Sequence, residues 1–138
     1  MEAALTDIVD AHVAVAAAGM VAVDLYDGCL IYDFTTGRMR LIDLDEYRPG
    51  PFTLEDDRLP GSRRYMAPEE FVRGSVIDQQ TTVYTIGRTI WNLLDSPTGW
   101  RGTSAQARVV TTATQPGKAH RYPTVRDVAS AWRESCLG

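Results

Sequence analysis

Few side chains in this 138-residue sequence can do chemistry, and their spacing excludes more than it admits. The soft ligands and nucleophiles are Cys29 and Cys136 with His12 and His120, too scattered to assemble any zinc-ligand spacing. No Ser-His-Asp order with a nucleophile elbow is present. Cys29 has no neighbouring His or Lys to lower its pKa, so it reads as a small buried residue rather than a reactive thiol. Carboxylates are the remaining resource. Asp24 and Asp43 flank a short hairpin pattern that would bring both to one edge. Paired carboxylates serve proton transfer and hard-cation binding, although Asp is also among the commonest residues of turns and strand ends.

Composition narrows the partners. Net charge is −4 with a pI near 5.1, which leaves no electrostatic footprint for nucleic acid or an anionic membrane. Thirteen of the fourteen basic residues are Arg, and Lys118 is the single lysine. Apolar residues at 44% and charged residues at 23% exclude a disordered or collagen-like chain. Ser62 beside Arg63 and Arg64 reads as a solvated loop segment, with a phosphosite or anion cradle as the sharper alternative. Trp91, Trp100 and Trp132 read as core or interface anchors, because no basic stripe accompanies them. The apolar run Val13 to Val23 is too short to span a bilayer, which needs about 20 residues. Glu2, Asp7 and Asp10 stand where a secretory signal would carry positive charge. With two distant cysteines and no disulfide framework, a cytoplasmic location is expected.

The elements that must position these residues follow from pattern. Leu5, Ile8, Val9, His12, Val13 and Ala16 lie on one helical face, so a helix is expected over residues 3–18, stopped by Gly19. Leu30–Tyr32 and Met39–Ile42 read as strands joined across Asp33 to Gly37. Asp45 to Gly61 is acidic and rich in Pro and Gly, which predicts a long loop rather than a packed element. Pro68–Phe71 suits a short helix with Pro in its first turn. Asp78 is placed to cap a helix running to Leu94, and two more are expected over 104–114 and 124–132. The whole reads as one domain over 1–138, mainly α with a small β-hairpin.

Four segments in order carry a family resemblance. Asp24-Leu25-Tyr26-Asp27-Gly28-Cys29-Leu30-Ile31 resembles the H-R-D-L-x-x-x-N catalytic loop of protein kinases. Leu41-Ile42-Asp43-Leu44-Asp45 is similar to the strand leading into the D-F-G turn, and Gly61 to Glu69 to the segment closing on A-P-E in bacterial Ser/Thr kinases. Thr85-Ile86-Gly87 and Arg121-Tyr122-Pro123-Thr124 also fit. The resemblance implies a protein-kinase-like C-lobe with a catalytic loop at 22–31, a metal-binding turn at 43–45, an activation-type loop at 45–69 and a helical remainder at 70–135. It further implies ATP and Mg2+, with Asp24 as catalytic carboxylate, Asp43 as metal ligand, and Cys29 and Asp45 as cofactor-side positions. Glu69 and Arg121 would form a structural ion pair.

Departures from the pattern matter as much. The loop's His and Arg are Ala22 and Val23, its Lys is Tyr26, its Asn is Cys29, and the Gly of D-F-G is Asp45. The Asp that opens the family's long helix is Thr82. Neither a Gly-rich phosphate loop nor a strand Lys is found, so the N-lobe is expected to be absent from this chain. Three functions follow: Ser/Thr protein kinase-like phosphoryl transfer as part of a larger or complemented kinase, a catalytically inactive pseudokinase-type binding module, or a relative of small-molecule, aminoglycoside-type phosphotransferases. Partners would be a protein substrate, a second copy in a homodimer, or a chain supplying the N-lobe. Val21, Val23, Leu30, Leu41 and Ile42 are expected at the edge such a partner would cover, unless residues 49–59 fold back over it.

Overall fold

The computed structural model describes residues 1–137. Four α-helices form its body: α1 (Glu2–Ala17), α2 (Gln79–Leu94), α3 (Ser104–Ala113) and α4 (Val125–Leu137). Their apolar faces meet in one core, built from Leu5, Ile8 and Val9, then Val83, Ile86 and Ile90, then Val109 and Val110, then Val128 and Trp132. Removing these faces from water is the main driving force for their docking. Capping sets where two of the helices start. Asp78 accepts the Gln80 N–H at 2.9 Å while the Thr81 hydroxyl accepts the Asp78 N–H at 3.2 Å; Thr103 and Gln106 exchange the same two bonds at α3. The last helix outruns its expected end at Trp132 because Ser135 stays on the buried face.

Strands are more numerous than a single hairpin. Among the described residues there are four antiparallel pairs: β1 (Met20–Val21) with β4 (Arg48–Pro49), β2 (Leu30–Asp33) with β3 (Arg38–Leu41), β5 (Phe52–Thr53) with β6 (Val76–Ile77), and β7 (Asp95–Ser96) with β8 (Gly99–Trp100). The fold is therefore a small α/β arrangement in which helices dominate. In the β2–β3 hairpin Leu30 stands opposite Leu41 and Asp33 opposite Arg38. Asp7 on α1 fastens this hairpin, accepting from Arg38 at 2.7 and 2.8 Å and from the Met39 N–H at 3.0 Å. No helix of the described residues is long and apolar enough to cross a membrane.

The loop after Asp45 departs most from expectation. Instead of lying unpacked, it buries Leu54 and Leu59, each 2% exposed, against Val21, Val23, Met66 and Ile77 in a second apolar cluster. Its backbone is tied down as well: Leu54 donates to Ser75, Gly74 to Leu54 and Leu59 to Glu70, at 2.8–2.9 Å. Two apolar residues set five apart among Pro, Gly and acids carry no periodic signal, so composition hid the packing. For the same reason Val21 and Val23 do not face water; the folded-back loop covers them. Leu30 and Leu41 are half-buried, and only Ile42 of the expected set is exposed.

Gly87 marks the closest approach of α2 and α3. A Cβ there would lie 2.7 Å from the Thr114 side chain and 2.8 Å from the Ala113 Cβ. Ala favours an open helix by ~1 kcal/mol over Gly, but overpacking of this kind costs about 1–3 kcal/mol. Gly87→Ala should therefore lower the unfolding free energy in urea titration; a stabilised variant would contradict the contact.

Candidate functional site

Asp24 and Asp43 share a backbone property that other non-glycine residues here lack. Both adopt left-handed conformations, with φ of 62° and 57°, a region that Asp enters more readily than most side chains. At Asp24 the neighbours explain it. Val23 and Leu25 are each 1% exposed, so the chain must twist between them, leaving Asp24 half-buried at the surface. Ala22, just before, donates its N–H to the Thr82 hydroxyl of α2 at 3.1 Å. Thr82 thus anchors the loop through its side chain. Asp43 follows the β2–β3 hairpin, and the Ile42 N–H donates to the Cys29 carbonyl at 2.8 Å, which holds the two loops together.

The electrostatics of this edge are negative. Burial raises the Asp24 carboxyl above the usual range and Glu46 adds to the rise. The Cys29 thiol is pushed up by burial first, with the charges of Asp24, Asp43 and Asp27 reinforcing it. Cys29 is 1% exposed and its thiol points back to the Asp24 carbonyl at 3.5 Å. Its burial agrees with the reading of Cys29 as a small buried residue, and its thiol supports the Asp24 backbone. Asp43 and Asp45 are exposed and have no ion-pair partner among the described residues.

The far end of the 45–69 loop is fixed by charge. Glu69 and Arg121 form a bidentate ion pair, 2.7 Å from Nη1 to Oε2 and 2.9 Å from Nη2 to Oε1, with side chains 10% and 0% exposed. Burial works to raise the Glu69 carboxyl, but the Arg121 guanidinium outweighs it, so the group stays below its usual range. The Thr81 hydroxyl adds a bond to Glu69 Oε2 at 2.9 Å. Next door, Glu70 is 2% exposed and accepts the Ala67 N–H at 2.7 Å, its carboxyl pushed up to about 7 by burial.

A third anchor holds the segment after Asp43. His12 on α1 is fully buried and makes two hydrogen bonds. Its Nδ1–H donates to the Ile8 carbonyl at 2.7 Å, which leaves Nε2 to accept from the Tyr47 hydroxyl at 2.8 Å. Neither Tyr47 nor Glu70 is signalled by motif; Tyr47 acts through burial against His12, 35 positions away in sequence. His12 itself lay on the predicted apolar face of α1.

The donor chemistry suits part of a Mg2+ shell. This ion takes one or two protein carboxylates and completes its coordination with water and phosphate oxygens, and Asp43 and Asp45 offer such carboxylates. Among the described residues no three His, Cys, Asp or Glu side chains converge to hold a metal alone. A nucleotide fits less well. Phosphates need cations or converging N–H groups, whereas the charges acting on Asp24 and Cys29 are acidic. Lys118 is occupied far along the chain by the Val76 carbonyl and Asp78, at 2.6 and 3.1 Å.

Two outcomes are expected. Glu69→Ala leaves Arg121 buried and half-unpaired, which costs ~3–5 kcal/mol and should appear as a large drop in the urea midpoint; a shift within experimental error would contradict the burial. His12, its pKa depressed to about 4 by burial, stays neutral in the fold and protonates near its ordinary 6.5 when unfolded. Stability tied to it is complete above pH 6.5 and is lost as pH falls toward 4, by about 3 kcal/mol in all. Glu70, with its raised carboxyl, acts oppositely between 4.5 and about 7, so the His12 component is read as the difference between wild type and His12→Gln. Equal pH dependence in both would contradict it.

Comparison with protein-family models and with curated proteins finds no match for this chain.

Proposed function

We propose that the chain is the acidic half of a Ser/Thr-kinase-like phosphoryl-transfer site, in the architecture of a kinase C-lobe. The observation that carries this reading is the placement of two left-handed aspartates, Asp24 and Asp43, at the ends of one hairpin and both acting on the Cys29 thiol. Support also comes from Glu69 and Arg121, which the resemblance pairs and which stand bonded at 2.7 and 2.9 Å. Asp24 would orient an attacking hydroxyl, and its raised carboxyl suits a group that must accept a proton. Asp43, with Asp45 beside it, would hold Mg2+. When bound, that ion supplies the positive charge that phosphate oxygens require in transfer. The phosphate-holding cations would come from a complementary unit, because the acidic edge cannot stabilise the transferred group by itself.

A second reading has its own observation. Ile31, Phe34, Ile42 and Leu44 are 50%, 91%, 36% and 36% exposed on or beside the hairpin. Apolar side chains collected at a sheet edge suit a protein-binding surface, as a pseudokinase-type module would use.

Manganese tests the first reading directly, since it replaces Mg2+ at oxygen sites and broadens nearby resonances. Mn2+ added to the nitrogen-15-labelled chain should selectively broaden amides of residues 24–29 and 43–46, and Asp43→Asn should abolish the effect. Broadening that is unselective or indifferent to Asp43→Asn would contradict the assignment. The chain alone should incorporate no phosphate from labelled ATP; incorporation abolished by Asp24→Asn would show that no complementary unit is needed.

A further inference from the structure

The C-terminal end of α1 borders an apolar groove of about 360 Å3. Ala14, Val15 and Ala18 of the helix line it together with Met20, Leu44 and Tyr47. Ala14 and Ala18 stand one helical turn apart and are exposed, and Leu44 is 36% exposed. Small helix residues beside Leu44 leave room for an apolar side chain from outside. Tyr47 is held in place, since its hydroxyl is bound to buried His12 at 2.8 Å. The surroundings of the groove are acidic. Leu44 lies between Asp43 and Asp45, and Glu46 precedes Tyr47. All three acids are exposed, and Asp43 and Asp45 have no ion-pair partner among the described residues. Glu46 meets Arg48 at 3.5 Å, and that guanidinium also stacks on Phe52, 4.9 Å from the ring centroid. Glu46 acts on Asp24 as well, which extends the negative field toward the candidate site. A helix C-terminus carries partial negative charge, and no basic residue stands in the last turn of α1 to offset it.

We propose that this groove docks a cationic amphipathic segment of a partner protein, which seats an apolar side chain beside Leu44 and sets Lys or Arg against Asp43, Asp45 and Glu46. The proposal rests on the reading of the chain as a protein-binding module, not on phosphoryl transfer. Charge complementarity chooses the occupant. An apolar groove alone would accept any apolar side chain, but acids at its rim steer basic segments in and turn acidic ones away. A second copy of the chain fits poorly. Its net charge is −4, and a symmetric contact would set these acids against their own counterparts.

Short peptides titrated into the nitrogen-15-labelled chain, without metal or nucleotide, test this. One is built of Leu, Ala and Lys, a second has Glu for each Lys, and a third has Ser for each Leu. The Leu–Lys peptide should shift the amides of Ala14, Val15, Ala18 and residues 44–47, and should bind about tenfold more tightly than either of the others. Added salt should weaken it. Ala18→Arg puts a cation into the groove at an exposed helix end that tolerates one, so it should abolish the shifts with the thermal midpoint kept. Asp45→Asn should weaken binding about threefold. Equal affinity for the Leu–Lys peptide and either control, shifts that survive Ala18→Arg, or no shift at all would overturn the proposal. Shifts confined to Ile31 and Phe34 on the hairpin would overturn it while leaving the binding-module reading in place. Concentration-dependent shifts of the groove amides in the chain alone would give the groove to a second copy and overturn it as well.

Discussion

The Arg121 guanidinium has five N–H groups, and all five are taken. Two go to Glu69, and the others to the carbonyls of Gln80, Gln115 and Pro116 at 2.6–3.1 Å. The ring of Tyr84 stacks on it at 4.9 Å. A buried ion pair is stabilising only when its remaining donors are satisfied, and this one meets that condition. Three parts of the fold converge on it: the end of the 45–69 loop, the start of α2, and the turn before α4. Lys would not replace Arg here, since three point-like donors cannot reach five acceptors in a plane.

That anchor has consequences along the loop. Glu70 turns inward beside Glu69 and accepts the Ala67 N–H, while its own carbonyl receives Leu59. Leu59 and Met66 then close over Val21 and Val23, and Gly61 comes against Asp24. The left-handed turn at Asp24 is thus framed by buried residues on both sides and by a pinned loop above. On the opposite flank, Tyr47 reaches into α1 to meet His12, which holds the segment following Asp43. Each aspartate stands on a strained turn whose geometry is set by packing elsewhere, a common arrangement where a side chain must be presented in one orientation.

Much of this was legible in the residues. Helix positions followed from apolar spacing and from the Asp78 cap, and the hairpin from two short strand-forming runs joined by a turn with Gly37. The pairing of Glu69 with Arg121 came from resemblance, because nothing in local pattern links residues 52 apart. What escaped was everything decided by long-range burial. Leu54 and Leu59 sit in a stretch whose Pro, Gly and acids describe a loop correctly but not its packing. The short pairs at 48–49 and 76–77 are too brief to show alternation. Cys29 is buried as its neighbours in sequence suggest, but its contact with the Asp24 carbonyl belongs to the fold. At the site itself, Asp24 and Asp43 were visible as residue types at a spacing, while their left-handed backbones and the acidic field around them belong to the folded chain.

Native-state hydrogen exchange on wild type and Glu69→Gln reads the dependence of the site on its anchor most directly. Loss of the charge should open the 54–70 loop ahead of the helical core, so the amides of Leu54, Leu59, Tyr65 and Gly74 should exchange faster by about tenfold or more, with Cys29 following. Amides in the middle of α1 and α4 should change less. Uniform acceleration over the whole chain, or a loop that exchanges as slowly as before, would contradict the view that the Glu69–Arg121 pair shapes the edge bearing Asp24.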